Sequence, residues 1–301
     1  MRLPLFLLVL LLAGLAPGTQ AQEVLLISAE RSAAYEEAAQ ALVAELGRRE
    51  VQQLSLDEMG AYRGPSPRLY VALGTESCGQ LARMPVPAPV LCALLPRASF
   101  ERVLRESGRR AGASFSALYQ NQPLGRQLDL IRLALPQARR VGVLWGPDSA
   151  INEAALEAAA QTRGLRVVGV PVRAEEPIFA GLRKILEESD VLLALADPQI
   201  YNSNSIQNIL LTSFRAQVPM LAFSPSYVRA GALMAVHSTP RQIGQQAGVL
   251  VRGVLQGQPL GPPQFPLQFE VSVNEHVARS LGLRLEAGSL AERLRRLERG
   301  S

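Results

Sequence analysis

Three short apolar runs in the second half of the chain each end in side chains that could hold a small polar molecule. Val191 to Ala196 runs into Asp197-Pro198, with Tyr201 and Asn202 close behind; Met220 to Phe223 runs into Ser224-Pro225; Ala232 to Val236 runs into His237-Ser238-Thr239. A carboxylate accepts from an ammonium or hydroxyl group, an amide both donates and accepts, and a tyrosine ring offers a stacking face. Earlier in the chain, Ser28 and the pair Gly74-Thr75 follow similar apolar runs. Their hydroxyls and free backbone N–H groups suit a carboxylate or comparable anion. Trp145 precedes Gly146-Pro147-Asp148-Ser149 and is read as a platform in a cleft, with Asp148 beside it. Each residue has a plainer alternative. Asp197 and Asn202 could cap turns; Ser28, Thr75 and Ser224 could be N-caps; Trp145 could be core; and Tyr227 is undecided between the two. Several such ends on one edge favour a site collectively.

Catalytic patterns are sparse. There is no Gly-x-Ser-x-Gly turn for an activated serine and no glycine loop that would cradle phosphate. Two cysteines, Cys78 and Cys92, and two distant histidines, His237 and His276, do not make a metal-ligand cluster. No cofactor is expected. An enzyme using Asp197 and His237 on a small polar substrate is kept as a less favoured reading. His237, at a strand end near an expected crossing, is read as a hinge or interface residue. Arg126, Arg215 and Arg229 could fix an anionic ligand, but each falls on an expected helix and is read as solvated.

The elements that must position these groups alternate regularly. Val24 to Ser28, Val51 to Leu56, Leu69 to Leu73, Pro89 to Leu95 and Ala113 to Leu118 read as strands, with helices between them. After a helix over Pro123 to Leu135 the pattern resumes with Val141 to Trp145, a helix over Ile151 to Arg163 ended by Gly164, Val167 to Val172, and a helix over Pro177 to Glu188. About five strand–helix units precede residue 120 and about five follow residue 140, which predicts two α/β lobes with parallel sheets. Thr239-Pro240-Arg241-Gln242 is a capping box with proline at the first helical position. Gln258 to Pro266 reads as a crossing linker, Leu267 to Val273 as a strand, and Asn274 as the cap of a short helix. Crossings near 120, 236 and 262 would restrict the lobes to opening and closing around a cleft. Lobe 1 is expected over 22–120 plus 237–262 and lobe 2 over 121–236 plus 263–288, with 289–301 a polar, solvated helical tail. In a parallel sheet the strands' carboxyl ends share one edge, where ligands bind.

The chain has 301 residues, 48% of them hydrophobic and 19% charged, enough for two cores. Arg2, the apolar run Leu3 to Leu15 and the small residues of Thr19-Gln20-Ala21 describe a secretory signal peptide cleaved near Ala21. That run falls short of the roughly 20 residues of a membrane span. The net charge of +5 is carried almost entirely by scattered arginines and is read as compositional, with no nucleic-acid partner. Cys78 and Cys92 would sit in an oxidising compartment, but spacing leaves open whether they bridge.

Three segments resemble one family. The segment ADPQIYNSNSIQNILLTSFRAQVPMLAFSPSYVRAGALMAVHSTPRQIGQQ, the segment LALPQARRVGVLWGPDS and the later VSVNEHVARSLGL are similar to substrate-binding proteins of ABC transporters, in the group that includes tryptophan-type binding proteins. The resemblance covers most of the chain and is strongest from about residue 130 to 285. It implies a type I periplasmic-binding-protein fold, two Rossmann-like lobes joined by three crossovers, a small polar ligand such as an amino acid between them, and delivery to an inner-membrane permease by a periplasmic monomer. On that reading Ser28 and Thr75 contribute from lobe 1, and Trp145, Asp148, Asp197 and Tyr201 from lobe 2. A periplasmic sensor that presents its closed form to a receptor or kinase would have the same sequence features. Nothing in the spacing selects the ligand.

Overall fold

A computed structural model describes residues 23–30, 32–47, 50–173 and 178–300. The expected signal peptide, and Pro177 at the start of one expected helix, lie outside the described residues. The first half of the chain forms β1 (Val24–Ser28), α1 (Ala33–Leu46), β2 (Val51–Ser55), α2 (Leu56–Ala61), β3 (Leu69–Leu73), α3 (Gly74–Arg83), β4 (Val90–Leu95), α4 (Arg97–Ser107) and β5 (Phe115–Tyr119). The strands pair in parallel in the order β2-β1-β3-β4-β5. β3, β4 and β5 are buried along their whole length, as unbroken apolar runs should be in a sheet covered on both faces. α2 was not expected. Ser55 and Glu58 form its capping box, each side chain bonding the other's backbone N–H, and the pattern Ser-Leu-Asp-Glu carries that signal.

The second half forms α5 (Leu124–Ala134), β6 (Arg140–Trp145), α6 (Glu153–Gln161) after a single 3₁₀ turn, β7 (Arg166–Pro171), α7 (Ile178–Glu188), β8 (Val191–Leu193), α8 (Ile206–Arg215), β9 (Met220–Ala222), α9 (Pro225–Ala230) and β10 (Met234–His237). α10 (Pro240–Leu255) returns to lobe 1. β11 (Glu270–Val273), α11 (Glu275–Ser280) and α12 (Ala287–Arg299) complete lobe 2. The lobe 2 order is β11-β10-β9-β8-β6-β7, parallel except for β11, which runs antiparallel to β10 because the chain re-enters from the far side of the hinge.

The return of α10 to lobe 1 has a packing cause. A methyl group on Gly244 would lie 2.2 Å from the Ala38 carbonyl oxygen, and one on Gly248 would lie 2.6 Å from the Glu45 Cβ. These two glycines, one helical turn apart, let α10 press directly onto α1. Ile243, Ala247 and Val251 then join Ala38 and Leu42 in the lobe 1 core. The helix starts as its sequence predicts: the Thr239 hydroxyl accepts from the Gln242 N–H and the Gln242 side chain accepts from the Thr239 N–H. Asn274 likewise accepts from the N–H groups of His276 and Val277 at the start of α11.

One expectation is corrected here and one open question is answered. The segment read as a solvated tail is α12, an amphipathic helix whose Leu290, Ala291 and Leu294 are buried in the lobe 2 core. Its polarity occupies one face only, so composition alone reads as solvated. The cysteines pair: Cys78 of α3 and Cys92 of β4 form a disulfide, with Cα atoms 5.5 Å apart. Among the described residues no helix is long and apolar enough to cross a membrane.

Candidate ligand-binding site

The segment that follows β4 in lobe 1 and the carboxyl ends of β8, β9 and β10 in lobe 2 line a cavity between the lobes. Lobe 1 supplies Pro96, Arg97 and Ala98; lobe 2 supplies Asn152, Leu195, Ala196, Phe223 and Val236; the crossings supply Asn121, Gln122, Leu124, Gln127 and Phe265. The cavity holds about 30 Å³, room for about one water molecule. Its polar lining is mostly neutral amide, with apolar and aromatic groups around it. On the lobe 1 side the backbone approaches through an irregularity. Leu94 adopts φ 56°, in the left-handed region, and the β4–β5 register shifts between Ala93 and Leu95. A branched residue held there is strained, and the bulge sets the position from which Pro96 and Arg97 enter the cavity.

The floor of the cleft is a hydrogen-bonded hinge. The Gln122 side chain, 3% exposed, donates to Ser238 Oγ at 2.9 Å and accepts from Arg126 Nη1 at 2.6 Å. Ser238 Oγ donates to the Gln268 carbonyl, and Arg126 Nη1 donates to the Pro266 carbonyl. All three crossings are therefore tied together by side-chain hydrogen bonds. The Arg126 guanidinium also pairs with Glu298 of α12 at 2.5 Å and lies over the Phe269 ring, 4.3 Å from its centroid. The expectation that Arg126 is solvated is overturned: it is 7% exposed. Its partners lie up to 172 residues away along the chain, so no local pattern marks it. Arg215 and Arg229 are exposed. His237, next to this hinge, bonds Ser272 Oγ at 2.9 Å. Burial, ahead of the opposing influence of Glu270, lowers its pKa below the ordinary value.

The residues singled out from the sequence divide into three groups. Asp197 is 1% exposed, and its carboxylate accepts from the N–H of Asp148, the N–H and Oγ of Ser149, and the N–H of Gln199. It packs so tightly on Gly146 that a Cβ there would sit 2.4 Å from Oδ2. This is loop organisation, and the carboxylate faces backbone rather than the cavity. Asn202 similarly bonds the Pro198 carbonyl and accepts from the N–H groups of Asn204 and Ser205. Tyr201 is buried against Phe223, and Tyr227 donates to its carbonyl. Its own hydroxyl has no partner, and burial, then Asp197, raise its pKa strongly.

Trp145 does not line the cavity. It belongs to the lobe 2 core with Val141 and Val143, on the same face of β6, and its indole lies over Gly169, where a Cβ would come within 2.2 Å of Nε1. The period-two alternation of a strand decides this: at position 145 the side chain falls on the α5–α6 face. Asp148 is partly buried and joined to Arg102 of lobe 1.

The third group lies at strand ends. Ser28, half-buried, lines a separate lobe 1 cavity of about 330 Å³ together with Tyr35, Glu30 and Glu36. Burial, with Glu30 and Glu76, raises the Tyr35 pKa. Gly74 takes φ +84° and leaves no room for a Cβ beside the Tyr35 hydroxyl; Thr75 follows it, half-buried. Ser224 precedes α9 without capping it through its side chain. The structure thus brings neither Trp145 nor the Asp197 carboxylate to the cavity. It adds Asn121, Asn152, Phe223 and Phe265, which stand at element ends without a motif. Among the described residues no group of three or more His, Cys, Asp or Glu side chains is placed to hold a metal ion.

Comparison with known proteins adds three findings. The family model "ABC transporter substrate binding protein" matches residues 51–292. A "Tyrosine-binding protein" of Clostridioides difficile (strain R20291) is 23% identical over 188 residues, which are 61% of this chain and 54% of that protein. The chain thus spans about half the length of that curated relative. Among solved structures, a substrate binding protein with adhesive properties from Clostridium difficile, in its ligand-free, open form, matches with TM-score 0.68 at 16% identity, over 88% of this chain and 96% of the other. A domain from Streptococcus pneumonia in complex with L-Trp matches with TM-score 0.61 at 15% identity, over 89% and 98%. At these identities the structural likenesses establish the fold: two α/β lobes of the periplasmic-binding-protein type.

Proposed function

The chain belongs to the family of ABC transporter substrate-binding proteins, and from that premise we propose that it is an exported, periplasmic protein that captures an amino acid in the cleft between its lobes and delivers it to an inner-membrane permease. The observation that carries the reading is the cavity itself: it lies between two lobes joined by three crossings, and it is lined by amides and aromatic rings rather than by paired acids and bases. Amides at Asn121 and Asn152 supply donors and acceptors for the ligand's charged ends. Phe223 and Phe265 flank its apolar part. Ser28, Gly74, Thr75 and Ser224 contribute from the strand ends when the lobes part. Asp148, Asp197, Tyr201 and Asn202 act by shaping the lobe 2 loops. Relatives named or solved with tyrosine and L-Trp direct the choice of class to aromatic amino acids.

An amino acid does not fit a space of about 30 Å³, so entry requires the lobes to open. Ligand then favours the closed form to the extent that it touches both lobes. The lobe boundaries proposed from the sequence, 22–120 plus 237–262 and 121–236 plus 263–288, serve that motion, with α12 carried on lobe 2.

The test is native mass spectrometry of the protein purified from cells expressing the full chain, followed by a thermal-shift screen of the amino acids. A co-purifying amino acid, or a melting rise of several degrees with one class, supports the reading. An unliganded mass with no shift across amino acids, sugars and small peptides overturns it. Cross-linking in native membranes then separates permease delivery from presentation to a receptor or kinase, since the captured partner differs.

A further inference from the structure

Among the described residues, an ion pair away from the hinge joins the lobes directly. Arg102 of α4 approaches Asp148, in the turn after β6, through Nη1 at 3.0 Å from Oδ1 and 2.8 Å from Oδ2. Each partner lies four residues along the chain from a residue that lines the cavity. Ala98, which lines it, lies four residues before Arg102 on one face of α4. Asn152, which also lines it, lies four residues after Asp148. The turn that carries Asp148 is held by contacts within lobe 2: the N–H groups of Asp148 and Ser149 and the Ser149 hydroxyl all bond Asp197 Oδ2, and the Asp197 carboxylate packs on Gly146. A fixed anion on one lobe therefore faces a flexible cation on the other. The Arg102 side chain is 38% exposed and that of Asp148 14%, so the pair is reached by solvent and salt.

We propose that Arg102 and Asp148 form an ionic latch that biases the lobes toward closure without any contribution from ligand. The tight turn organised by Asp197 is its rigid half. Because ligand enters only when the lobes part, the latch sets the fraction of molecules open to a ligand, and that fraction scales the apparent affinity and association rate. A pair this exposed shifts such a ratio by about two- to fivefold, less at high salt. That modest size suits a latch that must release.

The experiment measures distances between spin labels at Glu106→Cys on lobe 1 and Glu157→Cys on lobe 2, both exposed sites, in protein purified from cells expressing the full chain and freed of ligand. The native cysteines are joined to each other and leave no thiol to label. At low salt the short-distance population of the parent should fall about two- to fivefold relative to the long one in Arg102→Gln and in Asp148→Asn. The exchanged pair Arg102→Asp with Asp148→Arg should restore it. Raising NaCl to 0.5 M should open the parent and leave Arg102→Gln unchanged. Identical distance distributions in the parent and Arg102→Gln at low salt would overturn the proposal. Should the variants misfold, the parent's salt titration decides: a distribution that does not move with salt overturns the latch, and opening with salt supports it. No ligand enters this experiment, so its failure leaves the binding reading standing.

Discussion

Two arginines, one at the hinge and one across the cleft, are held in opposite ways. Arg126 at the hinge is 7% exposed, bonds Gln122, Pro266 and Glu298, and lies over Phe269. Arg102 beside the cleft has a side chain 38% exposed and bonds one residue, Asp148. Burial makes the first contact permanent, because a desolvated guanidinium without partners costs several kcal/mol. Solvent makes the second reversible, because a freed Arg102 and Asp148 are hydrated again at little cost. A protein whose lobes must move without separating suits a fixed cation at the hinge and a releasable one across the cleft.

The largest effect that would break this contrast is at the hinge. Arg126→Met should lower stability by about 3 kcal/mol, read as a fall in the urea midpoint, since Gln122 and the Pro266 carbonyl lose a partner and α12 loses its ion pair. A loss below about 1 kcal/mol would mean that the hinge does not depend on that cation. Ser238→Ala is the next test. It leaves the buried Gln122 amide with one hydrogen bond fewer and should cost about 1–2 kcal/mol in the same assay.

His237 sharpens the comparison through pH. Burial depresses its pKa in the folded state below the ordinary 6.5, so the unfolded chain binds the proton more readily. Its contribution to stability is complete above about pH 6.5 and declines as pH falls from there toward the folded pKa. Melting temperature should therefore drop between pH 7 and pH 5, and His237→Gln should flatten that part of the profile. A profile equally steep in the variant would assign the dependence to other groups. The smallest effect belongs to the exposed join: Arg102→Gln should change the urea midpoint by less than about 1 kcal/mol equivalent. A large loss there would make Arg102 a structural residue like Arg126.

Much of the architecture was legible locally. Unbroken apolar runs marked β3 and β4, Thr239-Pro240-Arg241-Gln242 marked the start of α10, and Asn274 marked α11, because a cap or a buried strand is specified within a few residues. The polar strand ends were also legible, but what each side chain does was not. Asp197 was placed correctly at a strand end, yet whether its carboxylate faces ligand or loop depended on the turn at Gly146–Ser149, some fifty residues earlier. Trp145 was read toward the cleft, but strand alternation and the gap over Gly169 turned it into the core. Asn121 and Asn152 carry no motif and gained their place only when two lobes closed on them.

The sequence by itself determined the alternation of strands and helices, the two lobes and the capping of their helices, because these follow from periodicity and short-range hydrogen bonding. Only the tertiary structure decided that Cys78 meets Cys92, that α12 packs onto lobe 2, and that Arg126 is buried while Arg102 stays in reach of water. Those outcomes rest on partners far apart along the chain, and a residue's burial and charge environment exist only after the distant segments have packed.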